Sequence, residues 1–305
     1  MPTIVIPFTE KGSPESHDIF VYLRPETNGI LAESVIMKVI RNEEFYNNNI
    51  KLVYLANLPG DFIVNRKIIQ EHYRVKLYYT SRGKQAFSPY MKQIFEETFR
   101  QDFESAEIIG AFDALRVLHM NYHELFNIWV DRKNMITING QSIKKYRNFY
   151  IINYDIPAIL HKNNTNTDIA VMLFRSQMNY VDFYGMITKM EIALKNEGIL
   201  GDKVPVSRAF HYSKGPFEQL LDASGYLYNS DGSRIPVSEN SFYRFLLSRG
   251  FTDIQVKMTI KHPIFRFEIA PGFELEDDIK TYTSGDNYEE AYSKLLSSKS
   301  QYLFI

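Results

Sequence analysis

The sequence predicts an α+β protein in which mixed sheets pack against helices. Three observations point there. Strand-like and helix-period runs follow one another without the regular βαβα alternation of a parallel sheet. Apolar residues reach 45 % and charged residues 23 %, the balance of an ordinary folded chain. Finally, 22 Phe and 21 Tyr against a single Trp supply a large aromatic core with many half-buried hydroxyls. At 305 residues the chain is long for one compact core of usual size, so either two domains or one large domain with an elaborated edge is expected, and the chain divides into two units. The first, 1–142, is an α+β unit with a helical insertion at about 88–130; the second, 143–305, is an α+β unit ending in a β-hairpin at about 252–270 and a helix.

Thr3 to Phe8 reads as a strand, and a Gly/Ser/Pro loop leads to a second, Asp18 to Arg24, apolar on both faces and therefore interior to its sheet. Apolar Ala32, Val35, Ile36, Val39 and Ile40 then follow helical spacing, closed by Asn47-Asn48-Asn49 before a strand from Ile50 to Leu55. Tyr73 to Tyr79 interleaves basic and aromatic residues in a strand-like way. Ser88-Pro89 starts a helix with an N-cap and a proline at its first position, and Met91, Ile94, Phe95, Thr98 and Phe99 form its inner face. Ser105 to Leu118 and His123 to Trp129 are read as two more helices. Met135 to Ile138 and Tyr146 to Tyr154 return to strand, with a seam at Asn139-Gly140-Gln141-Ser142.

A second strand-loop-strand-helix unit is expected about 150 residues after the first. At that constant offset Ile6-Pro7 falls on Ile156-Pro157, and Asp18, Ile19, Val21 and Leu23 fall on Asp168, Ile169, Val171 and Leu173. A helical pattern follows in both. The last third predicts a helix capped by Ser238 and stopped at Gly250, a hairpin from the alternation of Ile254, Val256, Met258 and Ile260 and then Phe265, Phe267 and Ile269, and a final helix over Tyr288 to Leu296.

The composition narrows the chemistry. Without cysteine there is neither a disulfide nor a thiolate nucleophile or ligand. A formal charge of −1 gives no overall field toward nucleic acid or anionic lipid. The short apolar N-terminal run lacks a basic flank, and no stretch approaches the length of a membrane span, so a cytoplasmic, non-membrane protein is expected. Neither a G-x-x-x-x-G-K-[ST] nor a G-x-G-x-x-G loop occurs, and no G-x-S-x-G elbow. His119 and His123 have metal spacing, but Asn121 breaks the helical phase between them and no Glu accompanies them, so no metal and no cofactor is expected. The segment HELFNIWVD offers no basic side chain for a DNA-reading helix.

Three readings of function remain. The first is a binding or adaptor protein acting through protein–protein or self-association surfaces, supported by the aromatic wealth. The second is an enzyme with a site at the junction of the two halves. Its acid–base candidates are Asp18 and Asp168, at the starts of expected interior strands, with Arg175, Arg208 and His211 near strand ends; each also fits a structural role, since an Asp at a strand start satisfies loop N–H groups. The third is single-stranded nucleic-acid binding by Arg74, Lys76, Arg82 and Lys84 with Lys144, Lys145 and Arg147, where outward aromatics would stack on bases. Edge strands carry the same residues as protection against pairing. No motif carries a resemblance to a known family.

Overall fold

The computed structural model describes residues 1–25, 27–177, 180–201 and 209–304. From the N-terminus run β1 (Thr3–Ile6), β2 (His17–Leu23), α1 (Ile30–Asn42), α2 (Glu44–Asn49) and β3 (Ile50–Leu58). Helices α3 (Gly60–Asn65), α4 (Ile68–His72), α5 (Arg74–Arg82) and α6 (Pro89–Phe99) follow. Then come β4 (Glu107–Gly110), α7 (Ala111–Val117), α8 (Tyr122–Phe126), β5 (Met135–Ile138), β6 (Gln141–Tyr146), β7 (Phe149–Ile152), α9 (Ile156–Lys162) and β8 (Ile169–Ser176). After α10 (Tyr180–Asn196) and β9 (Phe210–Tyr212) come α11 (Pro216–Tyr226), α12 (Ser241–Ser248) and α13 (Asp253–Lys261). The chain closes with β10 (Ile264–Ala270), β11 (Phe273–Asp278), α14 (Ile279–Tyr282), α15 (Tyr288–Leu296) and β12 (Ser298–Gln301).

Among the described residues the strands form three sheets. The largest has the order β1-β3-β8-β2-β9 with antiparallel neighbours throughout. A mixed sheet, β4-β7-β6-β5, pairs β4 with β7 in parallel, and an antiparallel sheet runs β11-β10-β12. The fold is thus α+β with mixed and antiparallel sheets. In the large sheet both faces are covered, which is why β2 and β8 read as continuous apolar runs. Ile19, Val21 and Leu23 turn toward α1 and α10, while Phe20 and Tyr22 turn to the opposite core, with Ile68 and Ile69 of α4 and Ala223 and Tyr226 of α11. That second face carries the site described below.

Several local signals act as the sequence suggests. Ser88 Oγ accepts from Met91 N with Pro89 at the helix start. Asn121 caps α8 with a capping box completed by Glu124, so His119 and His123 do not share a helix. The last helix runs over Tyr288–Leu296 as expected.

Other expectations are corrected. The hairpin expected at about 252–270 lies at 264–278, because Asp253–Lys261 is helical: the Thr252 side chain accepts from Gln255 N, whose own side chain returns the bond, and this capping box outweighs the alternation of Ile254, Val256, Met258 and Ile260. Ile254 is accordingly 73 % exposed. Tyr73–Tyr79 is not a strand but enters α5. Glu107–Gly110, read as helical, is the parallel strand β4. The helix at 238–250 begins after Asn240, whose side chain accepts from Phe242 N and Tyr243 N. The supposed seam Asn139-Gly140 is the two-residue turn of the β5–β6 hairpin, both residues having positive φ (53° and 71°) as a type I′ turn demands.

The offset similarity covers less than a unit. Strands β2 and β8 are antiparallel partners, each followed by a helix, and α1 packs on α10. Ile156-Pro157, however, opens helix α9 where Ile6-Pro7 ends strand β1, so no repeat of the whole unit is seen. The boundary at 142/143 falls inside β6, and β8 lies between β3 and β2, so strands from both sides of it build one sheet.

Candidate active site

A cavity of about 430 Å³ opens where the three sheets converge. The large sheet contributes Arg24, just past β2, and His211 of β9; the mixed sheet contributes Gly140 of the β5–β6 turn; Asp278 ends β11. Helices α4 and α5 add His72, Arg74 and Lys76, α11 adds Glu218 and α14 adds Lys280. Its size is that of a small-molecule site.

Sheet register sets the floor. Tyr22 pairs with His211 across β2 and β9, so both side chains leave the same face, and their rings stack at 4.4 Å with a 21° interplanar angle. Tyr226 of α11 lies 4.5 Å from Tyr22 on centroids. Helix α11 begins with Gly215 and Pro216, its N-cap and first position. Gly215 runs so close to Thr283 that a Cβ would lie 2.5 Å from its carbonyl oxygen, fixing the start of α11 against the segment after α14. Two carboxylates four residues apart on α11 then share one helix face. Glu218 Oε2 accepts from Lys214 N at 2.6 Å, and Asp222 Oδ2 accepts from Ser213 Oγ at 2.6 Å.

Asp222 is fully buried behind the two cavity-lining histidines, whose side chains are 5 % and 10 % exposed. His72 Nδ1 stands 3.9 Å from Asp222 Oδ1; His211 Nε2 stands 3.6 Å from Asp222 Oδ2 and 3.7 Å from Glu218 Oε1. These spacings are too long for hydrogen bonds. His72 Nδ1, His211 Nε2 and Asp222 Oδ1 are buried and have no hydrogen-bond partner among the described residues. Buried atoms of this kind are costly unless something meets them.

Burial reverses the usual order of proton affinities here. It pushes the imidazoles of His72 and His211 down to about 4 and about 3, and the Asp222 carboxyl up to about 6. Glu218 is also raised by burial, opposed by His211 and reinforced by Asp222. A proton arriving in mild acid therefore goes to a carboxylate rather than to an imidazole, and at neutral pH both histidines are uncharged donors and acceptors.

Of the acid–base candidates read from sequence, His211 alone among the described residues enters this cavity. Asp18 and Arg175 form a buried ion pair, Arg175 Nε to Asp18 Oδ1 at 2.7 Å, and Asp18 Oδ2 further accepts from Ser241 N at 2.8 Å and Asn240 Nδ2 at 3.0 Å. The pair ties β2 and β8 to α12. Asp168 accepts from Gly60 N and Asn57 Nδ2, both at 3.0 Å, a strand-start role of the kind expected. Arg208 lies outside the described residues.

The basic residues are dispersed. Arg74 and Lys76 line the cavity, Lys76 paired with Asp155 at 2.9 Å. Arg82 lies over Tyr78, Lys84 Nζ donates to Glu104 O, Lys145 lies over Tyr150 and Arg147 over Tyr146. Lys144 is buried, donating to Ile128 O at 2.7 Å and lying 3.5 Å from the Tyr154 centroid. Among the described residues no group of three or more His, Asp or Glu could hold a metal ion, and no helix is long and apolar enough to cross a membrane.

Sequence reasoning missed His72, Glu218 and Asp222. One signal was legible: Glu218 and Asp222 sit four apart among Phe217, Leu220, Leu221 and Ala223, which turns an acidic pair toward an apolar environment. No protein-family model, curated protein or solved structure matches the chain.

Proposed function

We propose that the protein is an enzyme that moves a proton on a small polar molecule held in the cavity. The observation supporting this is the convergence of the buried, unpartnered His72 Nδ1, His211 Nε2 and Asp222 Oδ1 beside a cavity-lining carboxyl, Glu218, whose proton affinity is raised. Glu218 exchanges the proton with the ligand, since burial raises its proton affinity and so makes it a better base than an ordinary carboxylate. Neutral His72 and His211 hydrogen-bond and orient the ligand. Asp222, behind them, faces the two rings at 3.9 and 3.6 Å and is a positioning residue that acts on them through its charge rather than through a hydrogen bond. The Arg24 guanidinium supplies permanent positive charge where negative charge develops.

The association reading is weaker on this geometry. A protein partner or second copy would dock on exposed apolar residues such as Ile30 and Leu31, Trp129 and Phe273, which come from three stretches of the chain and bring no acid–base group together.

Incubating the purified protein with a small-molecule cell extract, and following the mixture by liquid chromatography and mass spectrometry, tests the reading. The expected result is consumption of at least one compound by wild-type protein, slowed about a hundredfold or more in Glu218→Gln. Compounds that are bound but returned unchanged by wild-type protein would overturn catalysis in favour of a carrier or sensor.

A further inference from the structure

We propose, resting on the enzymatic reading, that the substrate is a small phosphorylated molecule whose phosphate sits in a second lobe of the cleft and whose reacting end meets His72, His211 and Glu218 in the first. A smaller cavity of about 210 Å³ adjoins the first and shares five lining residues with it, among them His72 and Arg74. The second lobe is lined by Arg74, Arg234, Lys257 and Lys261 against one acid, Glu71. Allowing for Asp253, which pairs with Lys257 at 2.6 Å, three cations still face that one carboxylate.

This excess stands out in a chain with 35 basic and 36 acidic residues. The first lobe has five cations, Arg24, Arg74, Lys76, Lys214 and Lys280, against four acids, and Lys76 and Lys280 are held by Asp155 and Asp278 at 2.9 and 2.6 Å, so its formal charge is closer to balance than the second lobe's. The second lobe is where a ligand must bring negative charge. Its cations are also held in place: Arg74 donates to the Lys261 carbonyl, and Arg234 Nε to the Tyr228 hydroxyl at 3.3 Å. A single carboxylate would leave most of that charge unmet, whereas a phosphate or diphosphate, with several acceptor oxygens and about two charges, engages guanidinium and ammonium donors together. The shared wall places His72 beside both lobes, so one ligand can occupy the two.

Calorimetric titration of the full-length chain with inorganic pyrophosphate tests this, with succinate as the dicarboxylate comparison. Pyrophosphate is expected to bind at least tenfold more tightly than succinate, and to lose about tenfold or more affinity in Arg234→Met and in Lys261→Met. Lys299→Met, at the far β12 edge, is expected to change nothing. Glu218→Gln, slowed in the turnover assay, is expected to bind pyrophosphate undiminished, which separates the two proposals. Absent pyrophosphate binding, binding untouched by both second-lobe substitutions, or succinate binding as tightly would overturn the phosphate subsite and leave the acid–base reading standing.

Discussion

Asp18 shows how a carboxylate that looks catalytic in sequence becomes structural in the fold. Every strong donor near it is already engaged: Arg175, Ser241 N and Asn240. Removing it strands a buried guanidinium, so Asp18→Ala is expected to destabilise the protein by roughly 3–5 kcal/mol in urea unfolding. Loss of activity without loss of stability in that variant would contradict the assignment. His72 and His211 make the opposite case, since their proton affinity lies below the ordinary 6.5. Below pH 6.5 the unfolded chain takes up protons on these rings that the folded one refuses, and folding weakens as pH falls toward 4, by on the order of 3 kcal/mol for His72. Asp222 acts the other way: its affinity is raised from 3.8 to about 6, so its contribution is full below 3.8 and is lost as pH rises through 6. Glu218 and Asp277 are raised as well, Asp277 to about 7, and act in the same direction as Asp222. The histidine share is therefore read from a difference: between pH 6.5 and 4 wild-type protein is expected to lose more stability, or gain less, than His72→Phe, and identical pH profiles for the two would contradict the burial of a neutral imidazole at His72.

At the level of elements, α5 brings Arg74 and Lys76 to the cavity, and its far end is held by β4. A Cβ on Gly110 would fall on the carbonyl oxygen of Thr80 in α5. Gly110→Ala is thus expected to push α5 away, destabilising the protein by several kcal/mol and weakening ligand binding together. An alanine variant of native stability would show that α5 and β4 are less tightly apposed. The same elements explain what the sequence reveals. Elements with end signals are legible: Ser88-Pro89, the Asn121 break and the helix at 288–296. Short basic-aromatic or alternating runs are not, because nine residues satisfy a period of two and of 3.6 almost equally. In α13 the Thr252–Gln255 capping box decides, and at Asn139-Gly140 a type I′ turn replaces what composition suggests is a linker.

Across the whole molecule, the cavity gathers residues from Arg24 to Ser284, and no local pattern announces such a meeting. His211 was legible because it lies next to a strand end; His72 was not, because its burial depends on α11 closing over it, 150 residues later in the chain. Since β8 completes a sheet begun by β2 and β3, and β6 spans the 142/143 position, fragments 1–142 and 143–305 are expected to lack cooperative thermal unfolding when made separately. A cooperative melt of either fragment would show that fragment to be an autonomous unit.

On the proposed reading the cavity floor keeps its imidazoles neutral and available to a ligand while its carboxyls take the protons. Nitrogen-15 NMR of labelled histidine side chains at pH 5, with His72 and His211 assigned by substitution, tests it most directly. The account predicts neutral-ring chemical shifts for both at that pH, and a change in them when a cavity ligand is added. Protonated shifts at pH 5, titrating near 6.5 like a solvated histidine, would contradict it.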